Sequence, residues 1–135
     1  MISNETKIRV RYGETDQMGY VYYGNYAQYF EVGRVELMRQ LGMSYRDIEE
    51  RGVMLPVLDF NIRYFKPAFY DEELTIVTTI NEVPAVRITF YYKTLNAEGT
   101  LLNEGKTTLV FVNKSTNKPQ PCPPGLANTI QSQLS

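Results

Sequence analysis

Residues 12 to 26 read Tyr12-Gly-Glu-Thr-Asp16-Gln-Met-Gly-Tyr-Val-Tyr-Tyr-Gly-Asn-Tyr26. The stretch sets an acidic residue, Asp16, in a polar glycine-bearing turn, then runs through four tyrosines into an amphipathic segment. Upstream, Lys7-Ile-Arg-Val-Arg-Tyr12 alternates polar and apolar residues at period two, which predicts a half-buried strand. Downstream, Tyr26, Ala27, Phe30, Leu37, Met38 and Leu41 recur at three- and four-residue intervals, with Glu31, Arg34, Glu36 and Arg39 among them. That spacing predicts one long helix over residues 24–40, ending near Gly42. The turn therefore joins a strand to a helix. The chain has no histidine, no tryptophan and one cysteine, so a carboxylate beside backbone N–H groups is the simplest reactive design open to it.

The pattern continues as a short second helix, Ser44 to Arg51, with Ser44 as N-cap and Asp47 three residues on as an approximate capping box. Gly33 inside the long helix costs about 1 kcal/mol relative to alanine, so it is expected to mark a close crossing of helix over sheet. After Gly52 the texture turns strand-like: Val53 to Tyr64, with Pro56 arguing for an edge or irregular start, then Glu73 to Ile80 beyond the Pro67–Asp71 turn. Ala85 to Lys93 alternates, with Val86, Ile88, Phe90 and Tyr92 on one face. Asn96 to Gly99 predicts a hairpin loop and Leu101 to Val112 another strand. Residues 113–125 hold four of the seven prolines and read as turns or an extended tail. One long amphipathic helix and a run of antiparallel strands bury each other best when the sheet curls around the helix. The other sheet face carries threonines and tyrosines that a second subunit is expected to cover or extend.

The 135 residues fit one domain spanning 1–135, with a proline-rich extension from about 113. Fourteen basic residues against fifteen acidic ones leave no sequence-wide attraction for nucleic acid. Cys122 stands alone, so an intrachain disulfide is excluded and a reducing, cytoplasmic setting is expected. No apolar run approaches the ~20 residues needed to cross a bilayer. Neither a glycine-rich phosphate loop nor a histidine–cysteine metal cluster is present in the sequence, and no metal or cofactor is expected.

Two blocks carry a family likeness. Arg11 to Arg34 resembles the hotdog-fold acyl-CoA thioesterases, in the branch of 4-hydroxybenzoyl-CoA thioesterase and the Tol–Pal-associated thioesterases. The shared pattern is an Asp, a short glycine turn, a Val–aromatic pair, then Asn-Tyr entering the central helix. Ile62 to Leu74, Ile-Arg-Tyr-Phe-Lys-Pro-Ala-Phe-Tyr-Asp-Glu-Glu-Leu, resembles the family's Tyr-x-x-Pro-Ala-x-x-x-Asp-x-Leu segment. The resemblance implies an α+β hotdog fold, a five- or six-stranded antiparallel sheet around one central helix. It implies a homodimer with a continuous sheet, often a dimer of dimers, and hydrolysis of an acyl-CoA to free acid and coenzyme A. Coenzyme A is then part of the substrate. An acyl carrier protein thioester, or non-catalytic binding of an acyl thioester, are the alternatives. Many members of the Tol–Pal branch have histidine where this chain has Tyr23, whereas the 4-hydroxybenzoyl branch has an aromatic residue there.

On that likeness Asp16 is the reacting carboxylate, as nucleophile or as base for water; its structural alternative is an Asp that caps its own turn. Tyr23 is a poor general base, a phenol's reference pKa being ~10. The oxyanion donors are expected in the amides around Tyr23 and Gly24, because a helix's first N–H groups lack internal partners and its start is electropositive. Gly24 is expected to admit the thioester close to the backbone. Tyr22 and Tyr26 are expected to pack at the helix–sheet or subunit interface, with a place in the acyl pocket as the alternative. Asn25 is a candidate for substrate contact, for orienting the loop or for capping the helix. Arg63 and Lys66 are candidates for the phosphates of coenzyme A. Glu31 is expected to pair with Arg34 or Arg11.

Overall fold

The computed structural model describes residues 1–134. The elements are β1 (Ile2–Arg9), α1 (Tyr26–Gln40), α2 (Tyr45–Glu50), β2 (Val53–Met54), β3 (Val57–Tyr64), β4 (Glu73–Ile80), β5 (Arg87–Leu95), β6 (Leu101–Val110), β7 (Val112–Asn113) and α3 (Pro124–Leu134). Five strands form one antiparallel sheet in the order β1-β4-β5-β6-β3, and β2 pairs with β7 apart from it. The central β4-β5-β6 portion is a meander, because its connections are short enough for hairpins. Strand β1 joins one edge in register from Ile2 opposite Ile80 to Arg9 opposite Glu73. Strand β3 forms the other edge against β6.

Helix α1 lies on the inner face of this sheet. Its buried residues, Tyr26, Tyr29, Phe30, Gly33, Arg34, Leu37 and Met38, recur at three- and four-residue steps and make one stripe. Ile88, Phe90 and Tyr92 of β5 meet that stripe as buried residues. The Phe30 and Tyr92 rings stack, 4.3 Å between centroids and 4° from parallel. The crossing is tight at two glycines. A methyl group on Gly33 would overlap Thr78 Oγ1 and stand 3.0 Å from Ile76 Cγ2. One on Gly105 would stand 2.5 Å from Phe30 Cε2 and 3.0 Å from the carbonyl oxygen of Asn61. Gly33 is thus where helix and sheet approach most closely, as expected from its unfavourable place in a helix.

Several expectations need correction. Strand β1 begins at Ile2 and ends at Arg9, whereas the alternation was read over 7–12; the positions alternating with its exposed residues include Asn4 and Thr6, which carry no hydrophobic signal. Tyr12–Glu14 is instead a turn of 3-10 helix. Ala27 is exposed and Arg34 is buried. The Arg34 side chain is held by the hydroxyl of Tyr45, to which its Nε donates at 2.9 Å. Glu31 forms no ion pair among the described residues; Arg11 pairs with Glu14 at 3.1 Å. Val86 is exposed, one residue before β5 begins. The turns after Asn113 hold only as far as Pro123. Pro124–Leu134 is a helix whose Leu126 and Ile130 enter the core beside Cys122. No helix among the described residues is long and apolar enough to cross a membrane.

Candidate active site

The loop between β1 and α1 is closed by its own aspartate. Asp16 N donates to Tyr20 O at 2.8 Å, and Gly19 N donates to Asp16 O at 3.0 Å. The side-chain Oδ1 of Asp16 accepts the amides of Met18 at 2.9 Å and Tyr20 at 3.2 Å. An Asp two residues before a free amide does this readily, because its short carboxylate mimics the next backbone carbonyl. The turn-capping role is therefore real, and it occupies one oxygen only. Oδ2 accepts no hydrogen bond among the described residues, so the carboxylate is fixed in direction with one oxygen left available.

The loop is docked onto the start of the helix. Tyr22 N and Asn25 Nδ2 both donate to Glu14 O, at 2.9 and 2.8 Å. Val21 N donates to Ala68 O at 2.8 Å, tying the same segment to the Pro67–Ala68 turn. Residues Tyr23–Asn25 form a 3-10 turn that leads into α1. The hydroxyl of Tyr64, from the end of β3, donates to Tyr23 O at 3.1 Å. The amides of Tyr23 and Gly24 have no acceptor among the described residues; Tyr23 borders the depression that also holds Tyr26 and Tyr64, whereas Gly24 borders neither of the depressions beside Asp16.

Asp16 stands on the wall between two depressions. One, of about 940 Å3, is open and is lined by Tyr12, Thr15, Gln17, Tyr22, Asn25 and Tyr70. The other, of about 300 Å3, is largely apolar and is lined by Met18, Tyr23, Tyr26, Tyr64, Phe65 and Lys66. Asp16 is the one residue that borders both. Burial pushes the Tyr26 phenol up to about 12, with Tyr64 adding to the effect, so this ring serves the depression as a neutral wall.

The structure thus gathers Asp16, Tyr23, Tyr26 and Lys66 at one depression and Asp16, Tyr22 and Asn25 at the other. Arg63 is elsewhere. It lies in a depression of about 640 Å3 on the outer sheet face, with Lys93, Glu104 and Lys106. In the strand register Arg63 stands opposite Glu104, which stands opposite Lys93. The side-chain direction of a strand alternates, so Arg63 was as free to face outward as inward until the pairing was known. Asn25 does not cap α1: it has helical φ and ψ, and its amide reaches back to Glu14. A Cβ on Gly24 would stand 2.9 Å from Cε2 of the Tyr22 ring, so a larger residue there would displace that ring.

Residues 10–130 match the model of the thioesterase-like superfamily. This chain belongs to that superfamily. It is 40% identical to YneP of Bacillus subtilis over 116 residues, 86% of this chain and 84% of the relative. It is 33% identical to the acyl-CoA thioester hydrolase YbgC of Escherichia coli, over 86% of this chain and 87% of that one. The DHNA-CoA thioesterase of Staphylococcus aureus superposes with a TM-score of 0.94 at 36% identity, covering 98% of this chain and 91% of that one. The expected hotdog fold and acyl-CoA thioesterase class are both borne out. The chain is a thioester hydrolase.

Sequence reasoning passed over Glu14, whose carbonyl and carboxylate join the loop to the helix, and Met18, Tyr64 and Phe65, which wall the apolar depression. The Arg11–Glu14 spacing of three, inside a polar loop, was the available signal for the first. The block from Ile62 to Leu74 held the last two, without showing that they fold back on Asp16.

Proposed function

We propose that the chain hydrolyses acyl-CoA thioesters with Asp16 as the reacting carboxylate and the amides of Tyr23 and Gly24 as donors to the carbonyl oxygen. The observation that carries this reading is the position of Asp16: it alone borders both depressions, with one carboxylate oxygen held by two amides and the other unengaged. A thioester lying across that wall puts its acyl group among Met18, Tyr26 and Tyr64 and its coenzyme A arm over the wider, more open depression. The free oxygen attacks the carbonyl carbon or takes a proton from the attacking water. In either route negative charge develops on the carbonyl oxygen, and fixed N–H donors there lower the barrier. The thiol of coenzyme A and the free acid are the products. The test is a panel of aromatic, branched and straight-chain acyl-CoA substrates, assayed with a thiol-trapping reagent. Release of thiol from none of them would overturn the reading.

Tyr23 enters this scheme through its backbone. Tyr23→Phe keeps the amide and removes only a phenol hydroxyl, and one neutral hydrogen bond is worth about 1 kcal/mol, or roughly fivefold in rate. Steady-state kinetics of that variant are expected to stay within about this factor of the parent. A loss of a hundredfold would give the hydroxyl a direct part in the chemistry.

The working unit is a pair of chains joined at the free edge of β3. Seven of the eight residues of this strand are exposed, and its edge amides and carbonyls face no neighbour in the sheet. Val57, Leu58, Phe60, Tyr64 and Phe65 are large apolar residues exposed by 39% or more. A long apolar edge is a template for another strand, and a second copy supplies one whose chemistry matches. Because Tyr64 and Phe65 also wall the apolar depression, the pairing places the second chain beside the acyl group. Sedimentation is expected to give twice the 15.6 kDa chain mass. Leu58→Glu, at a half-exposed position, is expected to shift the mass toward one chain; a parent that sediments as a monomer would contradict the pairing. Cys122, buried and unpaired, fits a reducing compartment, and we place the enzyme in the cytoplasm.

A further inference from the structure

We propose that Glu14 is a positioning residue that braces the Asp16 loop against the entry of α1 and so sets where the carboxylate stands relative to the Tyr23 and Gly24 amides. The inference rests on the reading of the site given above and adds a residue that touches neither substrate nor reacting atoms.

Donors from both sides of the junction converge on this one residue. From the helix entry, its carbonyl oxygen accepts Tyr22 N at 2.9 Å and Asn25 Nδ2 at 2.8 Å. From one turn deeper in α1, the Tyr29 hydroxyl donates to Glu14 Oε1 at 3.0 Å. From the end of the preceding strand, Arg11 N donates to Oε1 at 2.8 Å, and the Arg11 guanidinium donates to Oε2 from Nη2 at 3.1 Å and Nε at 3.2 Å. The Glu14 side chain is only 13% exposed although that of Arg11 is 79% exposed. A carboxylate in that position is shielded from water, and charge-assisted bonds to it are the strong ones. Burial alone would raise the Glu14 pKa, yet the Arg11 amide and the Tyr29 hydroxyl hold it below the ordinary carboxylate range. The group therefore stays ionised and keeps all its donors engaged near neutral pH.

Asp16 lies two residues beyond this anchor, so a shift of Glu14 is passed directly into the reacting carboxylate. The amides of Tyr23 and Gly24 lie between Tyr22 and Asn25, the two residues that Glu14 O holds. The opposite side of the same turn is fixed by Tyr64 through Tyr23 O. With the brace intact, acid and donors form one rigid unit. With the carboxylate removed, the loop keeps its backbone ties through Glu14 O but loses those to Arg11 and to Tyr29 of α1. Reactions at a carbonyl depend steeply on the placement of the reacting group, and a misplacement of about 1 Å costs up to ~100-fold.

The test uses the full-length protein with the best acyl-CoA of the substrate panel. Glu14→Gln keeps the size of the side chain but leaves a single acceptor oxygen, so its NH2 group must face either the Arg11 guanidinium or the pair of donors from Arg11 N and Tyr29. Its kcat is expected to fall about tenfold with KM within twofold, when rates are taken per folded molecule well below the melting temperature. A merely structural role would lower the melting temperature and leave kcat per folded molecule unchanged. Tyr29→Phe, which removes only the donor, is expected to lower kcat in the same manner. In the double variant the two losses are expected to combine to less than their product, because both changes loosen the same brace. Parental kcat in both single variants, or a rise in KM alone, would overturn the brace. Asp16→Asn run beside them separates the two ideas. If Asp16→Asn is inactive while Glu14→Gln turns over normally, only the brace falls; if Asp16→Asn is also fully active, the reading of the site falls.

Discussion

Asp16→Asn lowers turnover at least about 100-fold, with the fold and the melting temperature close to those of the parent. The size follows from what the substitution removes: a positioned acid–base group supplies about 100- to 10,000-fold. The stability expectation follows from the hydrogen bonds. Oδ1 accepts the Met18 and Tyr20 amides, and the carbonyl oxygen of an asparagine can accept both. The amide nitrogen then replaces Oδ2, which in the native loop accepts nothing. The substitution thus leaves the turn-capping half of Asp16 in place and removes the oxygen to which we assign the reaction. Thiol release at the parental rate, in a variant with parental structure, would reduce Asp16 to the cap of its own loop.

Gly105→Val destabilises the protein by about 3 kcal/mol, which for a chain of this length lowers the melting temperature by roughly 10 °C. Valine is a better strand residue than glycine by up to about 1 kcal/mol, so the direction is set by packing. The Cβ would stand 2.5 Å from Phe30 Cε2 and 3.0 Å from the Asn61 carbonyl oxygen. Neither neighbour can retreat easily. Phe30 is fully buried and stacked on Tyr92, and the Asn61 oxygen belongs to the backbone of β3, paired with β6 at Asn61 and Lys106. Phe30 must tilt, which lifts α1 from the sheet at the point between the helix entry and the Gly33 crossing. A denaturant midpoint equal to that of the parent would contradict this account of the helix–sheet contact. Phe30→Leu combined with Gly105→Val is expected to recover part of the loss by removing the atoms in conflict.

The features legible in the sequence were those written in local chemistry. Helix α2 is the clearest: Asp47 N donates to Ser44 Oγ and Ser44 N to Asp47 Oδ2, the reciprocal pair that the residue spacing announces. Strand β4 runs from Glu73 to Ile80 as read. The Asn96 to Gly99 loop closes through Asn96 Oδ1, which accepts the amides of Glu98 and Thr100. Asp16, Tyr23 and the helix start were brought out by a contiguous block, so their proximity needed no knowledge of the fold.

What escaped depended on contacts between distant segments. Helix α3 was hidden by its prolines. Pro124 is the first residue of that helix, a position where the missing N–H costs no hydrogen bond. Arg34 is expected from the sequence to pair with Glu31, whereas it is buried against Tyr45 of another helix. Arg63 was grouped with Lys66 on nearness in sequence, but β3 ends at Tyr64. The strand sends Arg63 to the outer sheet face while the turn beyond brings Lys66 to Asp16. The partners of Glu14 lie at Arg11, Tyr22, Asn25 and Tyr29, a set that only the docking of loop on helix brings together.

The proposed roles of Asp16 and of the Tyr23 and Gly24 amides are tested most directly by a crystal structure of Asp16→Asn holding an intact acyl-CoA. The thioester carbonyl oxygen is expected at about 3 Å from the Tyr23 or Gly24 amide, with the carbonyl carbon beside residue 16 and the acyl group against Tyr26 and Tyr64. A thioester bound instead at the outer sheet face near Arg63, with residue 16 untouched, would contradict it.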